Sequence, residues 1–311
     1  MNHNQIVIGI DTSAYTTSVA AINQQGDILL DLKRILNVPL GTRGLRQSDA
    51  RIQHHQNLIE MIAEIEKSLD VSQIVAVAVS DKPRPVVGSY MPVFMDGVES
   101  GAKLANQLNV PLFYFSHQEG HIEAVKHFSP LHEADRILCF HLSGGTSELL
   151  LVEKCTIQII GGSKDLAFGQ LIDRVGVSMG MEFPAGQKMD QLACGVESTT
   201  SWLKPIPLVG LEFNLSGIET QSQRRIMEGV PAEELIPELF KRISICLCKV
   251  SDEACKLYNI KEIIMVGGVS GSQTVRDYMS KNMKHGTTLF GAFSSDNAVG
   301  IALLGGNRLW Q

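Results

Sequence analysis

No segment of this chain approaches the roughly 20 continuous apolar residues that a membrane-spanning helix requires, although apolar residues fill 44% of its 311 positions. A soluble globular protein with no membrane role is expected. The opening MNHNQIVIGIDTS lacks a basic segment running into an apolar core and a small-residue cleavage site, so neither export nor organelle import is indicated and a cytoplasmic location is expected. Cysteine is sparse: Cys139, Cys155, Cys194, Cys246, Cys248 and Cys255 lie mostly in apolar stretches and form no C-x-x-C pair. Buried reduced thiols fit this pattern better than a disulfide frame or a thiolate metal site. An excess of basic charge is also missing, since 27 Lys and Arg stand against 33 Asp and Glu, for a net charge of −6. That excludes a surface that grips nucleic acid over its whole extent, because phosphate binding draws on clustered cations. One local run remains, Lys33, Arg34, Arg43, Arg46 and Arg51, broken only by Asp49, and an ordinary solvated face is the more frequent meaning of such a run.

What is present has a repeating plan. The run QIVIGID, Gln5 to Asp11, and the run Thr17 to Ile22 flank a polar turn, and a second turn at Asn23 to Asp27 leads into Ile28 to Leu32. Three strands thus precede any helix. From Ser48 to Leu69 the apolar residues Ile52, Leu58, Ile59, Ile62 and Ile65 recur at helical spacing, with Ser48 as the expected cap. A strand, a helix near Val98 to Leu108, a strand at Leu112 and a short helix from about Ser116 follow. The second half starts the same way: Arg136 to Leu142, the turn Ser143 to Ser147, Glu148 to Val152, then Thr156 to Ile160. Two β-β-β-α-β-α units in one chain resemble the α/β fold of the two-lobed actin-like ATPases, the class of actin, hexokinase and the heat-shock ATPases. The expected lobes are 1–133 and 134–311, with the last helix, about 296–311, returning toward the first.

Two turns rich in Ser, Thr and Gly at equivalent places suit a phosphate chain, since such turns offer backbone N–H groups and hydroxyls in a small concavity. Either one alone is also simply a good turn. Gly267 and Gly268 end a strand ahead of a helix, where glycine lets a ligand approach the backbone and the helix N-terminus closely. His117 and His121 are four residues apart, on one helix face, where both can reach one metal ion. A pair of partly exposed surface histidines fits the same spacing. The acid between them, Glu119, sits about 200° round the helix from His117, so this is not the zinc-peptidase arrangement. Asp296 is either a further oxygen ligand or a helix cap. Asp173 and Asp190 lie where acids could bind ribose hydroxyls, or are merely solvated on two amphipathic helices.

In order, these pieces resemble the TsaD family, the threonylcarbamoyl-transferring subunit of tRNA threonylcarbamoyladenosine synthesis. The family's E-T-S-C-D-E-T-S-V-A is similar to Asp11 through Ala20, its H-x-x-G-H matches His117, Gly120 and His121, and its S-G-G-H/N-T is similar to Ser143 through Ser147. Its G-E-A-F-D-K is similar to Gly169 through Arg174, its Y-P-G-G-P to Phe183 through Gln187, its F-S-F-S-G-L-K-T to Phe213 through Thr220, its G-G-V-S-A-N to Gly267 through Ser272 and its C-T-D-N-G to Ser294 through Ala298. The resemblance implies an iron or zinc ion held by His117, His121 and Asp296. His141, where some members carry a metal-reaching Tyr, is a compatible further ligand. It also implies ATP, AMP or threonylcarbamoyl-adenylate bound by Leu142, Ser143, Gly144, Gly145, Thr146, Asp173, Gly186, Asp190 and Ser272, beside Gly267 and Gly268. The implied partners are tRNA, reached through companion proteins, and either a TsaB-like protein in a heterodimer or a second copy in a homodimer.

The implied activity is transfer of a threonylcarbamoyl group from threonylcarbamoyl-adenylate to the exocyclic amine of the adenosine beside the tRNA anticodon. Several positions depart from the family pattern. Tyr15 and Thr16 replace two acids, Thr146 replaces His or Asn, Gln170 replaces Glu, Glu219 replaces Lys and Ser272 replaces Asn, while Arg84 stands in place of a glycine. These departures keep open a divergent paralogue that binds or regulates the synthase, or carbamoylates another substrate.

Overall fold

The structure, a computed structural model, describes residues 5–13, 15–39, 44–154, 156–291 and 298–310. The first half runs β1 (Ile6–Thr12), β2 (Thr16–Asn23), β3 (Ile28–Ile35), α1 (Gln47–Ser68), β4 (Ile74–Lys82), α2 (Phe94–Leu108), β5 (Leu112–Ser116) and α3 (His117–His127). The second repeats the three strands as β6 (Arg136–Leu142), β7 (Ser147–Glu153) and β8 (Thr156–Ser163). There follow α4 (Phe168–Ser178), α5 (Gly186–Ala193), β9 (Leu208–Val209), β10 (Glu212–Phe213), α6 (Ser216–Met227) and α7 (Ala232–Tyr258). The chain closes with β11 (Glu262–Val266), α8 (Gln273–Asn282), β12 (Thr287–Phe290) and α9 (Val299–Trp310).

The duplication is visible in the sheets. One is ordered β3-β2-β1-β4-β5 and the other β8-β7-β6-β11-β12, with β10 and β9 added beyond β8. In each, the first three strands pair antiparallel and the last two join in parallel. The chain divides into two compact units, one from Met1–Pro39, Leu45–Phe128 and Asp296–Gln311, the other from Leu40–Gly44 and Ser129–Ser295.

In the first unit β1 is buried along its whole length, because it is a central strand covered on both faces. Ile8, Ile10, Val77 and Val79 form a core with Leu58, Met61 and Ile65 of α1 and Leu104 of α2. On the other face α9 lies against β1 at Gly9, where a Cβ would stand 2.2 Å from the Ala298 carbonyl oxygen. The edge strand β3 alternates half-buried and exposed residues along its length, as an edge with one wet face does. The expected cap of α1 is corrected: the residue ahead of the helix is Arg46, which makes no side-chain cap bond, and the Ser48 hydroxyl bonds its neighbour Asp49. The basic run is largely neutralised, with Lys33 paired to Asp31, Arg34 to Glu60 and Arg51 to Asp96.

The second unit's core joins Phe140, Leu149, Phe168 and Leu171 to Leu239, Phe240 and Ile243 of α7. Glu238, fully buried on α7, accepts hydrogen bonds from Thr200 Oγ1, the Trp202 and Leu203 amides and Arg242. Burial alone would raise its pKa, but these donors hold it below the usual carboxylate value. Asp165 ties the approach to α4 to the start of α6 by accepting from the Leu166, Leu215 and Ser216 amides. Against the opposing effect of burial, those bonds bring its pKa down to about 2.

Candidate functional site

The first unit supplies imidazoles. Ser116 ends β5 and caps α3: its hydroxyl accepts from the Glu119 amide at 3.2 Å, and Glu119 Oε2 accepts from the Ser116 amide at 2.6 Å. Glu119 is thereby committed to the helix start, which removes it as a base for peptide hydrolysis. Capping also makes His117 the first helical residue and sets His121 one turn on, with the two Nε2 atoms 2.9 Å apart. His121 is 2% exposed. On the other side of the His117 ring, Nδ1–H donates to Asp11 at the end of β1, 3.0 Å from each carboxylate oxygen. Asp11 is fully buried and also accepts from the Ser80 hydroxyl of β4.

This arrangement fits a metal ion. Two ring nitrogens at 2.9 Å lie within the separation available to ligands each about 2.0–2.1 Å from one ion. A carboxylate on the far nitrogen of a ligating histidine is the usual support for such a ring. Among the described residues no group of three or more His, Cys, Asp and Glu converges to hold an ion. Asp296 lies outside the described residues. Gly120, between the two histidines, has a packing reason: a Cβ there would stand 2.8 Å from Ile301 of α9, and one on Gly300 would stand 1.8 Å from the Gly120 carbonyl oxygen. α3 and α9 therefore cross in contact.

The turn after β1 is pinned by His54 of α1, which is fully buried. Its Nδ1 is 2.9 Å from Thr17 Oγ1 and its Nε2 is 2.8 Å from the Ser13 carbonyl oxygen. Burial lowers its pKa, so the ring is neutral, with Nε2–H donating to Ser13 and Nδ1 accepting from Thr17. Asn57 also donates to Thr17 Oγ1, at 3.0 Å.

In the second unit the turn between β6 and β7 is closed by its own serine. Ser143 Oγ accepts from the Thr146 amide at 3.0 Å and the Gly145 amide at 3.3 Å, while the Ser143 amide donates to the Thr146 carbonyl. Gly144, Gly145 and Gly268 are open where a side chain would begin. Gly267 is different: its φ is +89°, and a Cβ would stand 2.3 Å from the Leu142 carbonyl oxygen. Leu142, Ser143 and Gly267 thus come together, and Gly169 at the start of α4 joins them, a Cβ there meeting Gly144 at 2.6 Å. His141 lies on β6 at 3% exposure, opposite Glu148 of β7.

Asp173 and Asp190 are not merely solvated. Asp173 Oδ1 accepts from the Ala185 amide at 2.8 Å, at the start of the helix that opens with Gly186. Burial raises its pKa, opposed by the Ala185 and Gly186 amides. Asp190 accepts from Ser272 Oγ at 2.6 Å and from the Gln273 and Thr274 amides, capping α8. The departures from the family pattern also acquire settings. Gln170 Oε1 takes the Ala167 amide at the start of α4. Glu219 pairs with Arg174 at 3.2 Å.

Sequence reasoning missed Asp11, Ser80 and His54. A lone acid ending an otherwise apolar buried strand is the signal that marks Asp11. A groove of about 660 Å³ in the second unit, lined by Ile245, Lys249, Asp252, Tyr278 and Lys284 among others, contains none of the expected site residues.

The architecture is that of the actin-like ATPases. HypF from T. kodakarensis superposes with a TM-score of 0.67 at 14% identity, covering 98% of this chain and 48% of that one. A ROK family glucokinase from Streptomyces griseus, crystallised with glucose and AMPPNP, gives 0.54 at 13% identity, covering 96% of this chain and 99% of the other. The sequence narrows the class. The profile of TsaD, tRNA N6-adenosine threonylcarbamoyltransferase, matches residues 40–303, and the chain belongs to that family. Relatives bearing the name tRNA N6-adenosine threonylcarbamoyltransferase include one from Neorickettsia sennetsu, 26% identical over 99% of this chain and 94% of its own length. Another, from Sulfurihydrogenibium sp., is 29% identical over 88% and 81%.

Proposed function

We propose that this protein transfers a threonylcarbamoyl group from threonylcarbamoyl-adenylate to N6 of the adenosine beside a tRNA anticodon. The observation that carries the reading is the His117–His121 pair, set 2.9 Å apart on a capped helix within a chain of the TsaD family. In the reaction the amine nitrogen forms a bond to the carbamoyl carbon, the bond from that carbon to the phosphate oxygen breaks, AMP leaves, and the amine loses a proton. His117 and His121 would hold an iron or zinc ion, with Asp296 and His141 as further ligands. Such an ion supplies Lewis-acid polarisation of a carbonyl or phosphoryl oxygen.

The remaining work belongs to the chain. The open backbone at Gly144, Gly145 and Gly268 gives a nucleotide's phosphate room to approach, and Ser143 holds that turn in shape before any ligand arrives. Asp173 and Asp190 fix the starts of α5 and α8, so that Gly186 and Ser272 stand ready for the nucleoside. Contact with tRNA is assigned to companion proteins, since Lys33, Arg34 and Arg51 of the basic run are paired with neighbouring acids and the chain carries a net negative charge. A TsaB-like partner or a second copy of this chain is the proposed assembly. No helix among the described residues is long and apolar enough to cross a membrane, in keeping with a proposed cytoplasmic site of action.

One observation favours a second reading, a paralogue that regulates a synthase or carbamoylates another acceptor: the Glu219 carboxylate pairs with Arg174 where the resembled pattern carries a lysine. The test is purified protein incubated with threonylcarbamoyl-adenylate and tRNA, with and without companion proteins, and nucleosides read by mass spectrometry. Modified adenosine formed by wild type and lost in His117→Ala and His121→Ala supports the first reading. Failure under all conditions, with failure to complement a strain lacking the family enzyme, moves the assignment to the second.

A further inference from the structure

The burial, bonding and place in the fold of Asp11 all act on a single ring. Asp11 lies next to the last residue of β1, between β2 and β4, and is fully buried. Removing a carboxylate from water costs several kcal/mol unless hydrogen bonds compensate. Here the compensation comes from the Ser80 hydroxyl and from His117 Nδ1–H, 3.0 Å from both oxygens. The ring is held from other directions as well: the Ser116–Glu119 capping box fixes the start of α3, and the Phe94 ring lies 5.9 Å from the His117 ring, centroid to centroid.

An acceptor on Nδ1 decides where the imidazole proton sits. A carboxylate only accepts, so the His117 proton is required on Nδ1, and the Nε2 lone pair is left facing His121. Without Asp11 the proton is free to occupy Nε2 and block that lone pair. Asp11 itself lies on the Nδ1 side of the ring, which makes it a poor direct ligand for an ion held at Nε2.

We infer that Asp11 is a positioning residue for His117, locking its tautomer and ring so that Nε2 is presented, with His121, to a divalent cation. This rests on the reading of the two histidines as metal ligands. It goes beyond that reading in giving the fully buried acid a stated task. The expected consequence of removing such a supporting carboxylate is a 10–100-fold loss of metal affinity.

The experiment uses the full chain, metal-free and without a histidine tag, in two arms. In the first, long-range ¹⁵N spectra of histidine-labelled protein report the tautomer. His117 is expected as the Nδ1–H form in wild type and as a mixture or the Nε2–H form in Asp11→Ala. Asp11→Asn, nearly isosteric, guards against simple misfolding and is expected to keep the wild-type melting profile more closely than Asp11→Ala. In the second arm, Zn(II) and Co(II) titrations are expected to show binding weakened 10–100-fold in both variants and little changed in a distant control such as Lys164→Ala. Wild-type affinity and an unchanged His117 tautomer in both Asp11 variants would overturn the inference while leaving the metal reading intact. A wild type that binds neither ion overturns the metal reading first, and with it the task assigned to Asp11. The two failures are thus distinguishable.

Discussion

In the first unit the turn between β1 and β2 is held from outside, by His54 of α1 reaching Ser13 and Thr17. In the second, the turn between β6 and β7 is held from within, by Ser143 closing on Gly145 and Thr146. The strand order around both turns is the same. Duplication has therefore preserved the scaffold and let the chemistry diverge: one copy places buried side chains around a strand end, while the other leaves glycine backbone open. On the proposed reading the side chains hold a cation and the open backbone an anion.

The largest expected effect comes from the second turn. Gly267→Ala places a Cβ against the Leu142 carbonyl at a φ that side chains rarely adopt, and should cost about 3 kcal/mol or more. Gly144→Ala, which meets nothing, should stay within about 0.5 kcal/mol of wild type. Urea denaturation of both variants measures the contrast, and similar losses in the two would break the account of an open, self-closed turn. If a nucleotide uses that opening, Gly144→Ala should also lose the shift in melting temperature produced by adenine nucleotide, a stabilisation of about 2.7 kcal/mol at a hundredfold excess over Kd.

His54→Ala should cost about 2 kcal/mol, from a packed ring and two hydrogen bonds, with the loss confined to the first unit in hydrogen exchange. The pH dependence follows from the lowered pKa. Between its unfolded value of about 6.5 and its lower folded value, the unfolded chain binds more protons at this site than the native one. Stability of the first unit should accordingly fall as pH drops below about 6.5, and less steeply in His54→Ala. Asp11 and Asp96 oppose the shift. Equal slopes in both proteins would remove His54 as the cause.

The smallest stability effect is expected at the Arg174–Glu219 pair. Its arginine is 41% exposed, so Glu219→Gln should change stability by less than about 1 kcal/mol. Activity is the sharper measurement there. A gain in threonylcarbamoyl transfer on Glu219→Lys, with the melting temperature unchanged, would identify this position as the source of functional divergence.

Much of this architecture is legible in the chain. Alternating apolar runs around short polar turns mark the two three-strand starts, and the fourfold spacing of His117 and His121 puts them on one face. The rest depends on partners distant in sequence. Nothing near Asp190 announces that it caps a helix beginning at Gln273, nor near Asp165 that it receives the amides of Leu215 and Ser216. Ser48 shows the opposite limit: a good capping residue by type, it loses the position to Arg46, two residues earlier. His54 reads as one of two adjacent histidines on an amphipathic helix, and only the packing of α1 under the first turn separates it from His55.

The crossing of α3 and α9 has a consequence for the order in which the molecule is made. A ribosome releases β1 to α3 first, then nearly all of the second unit, and after both the dozen residues Val299–Trp310. Until then the face of the first sheet at Gly9 and Ala78 has no helix to cover it. The second unit, almost continuous in sequence, can condense during synthesis, whereas the first must wait with apolar surface exposed. A nascent chain stalled before α9 is the species that chaperones should recognise.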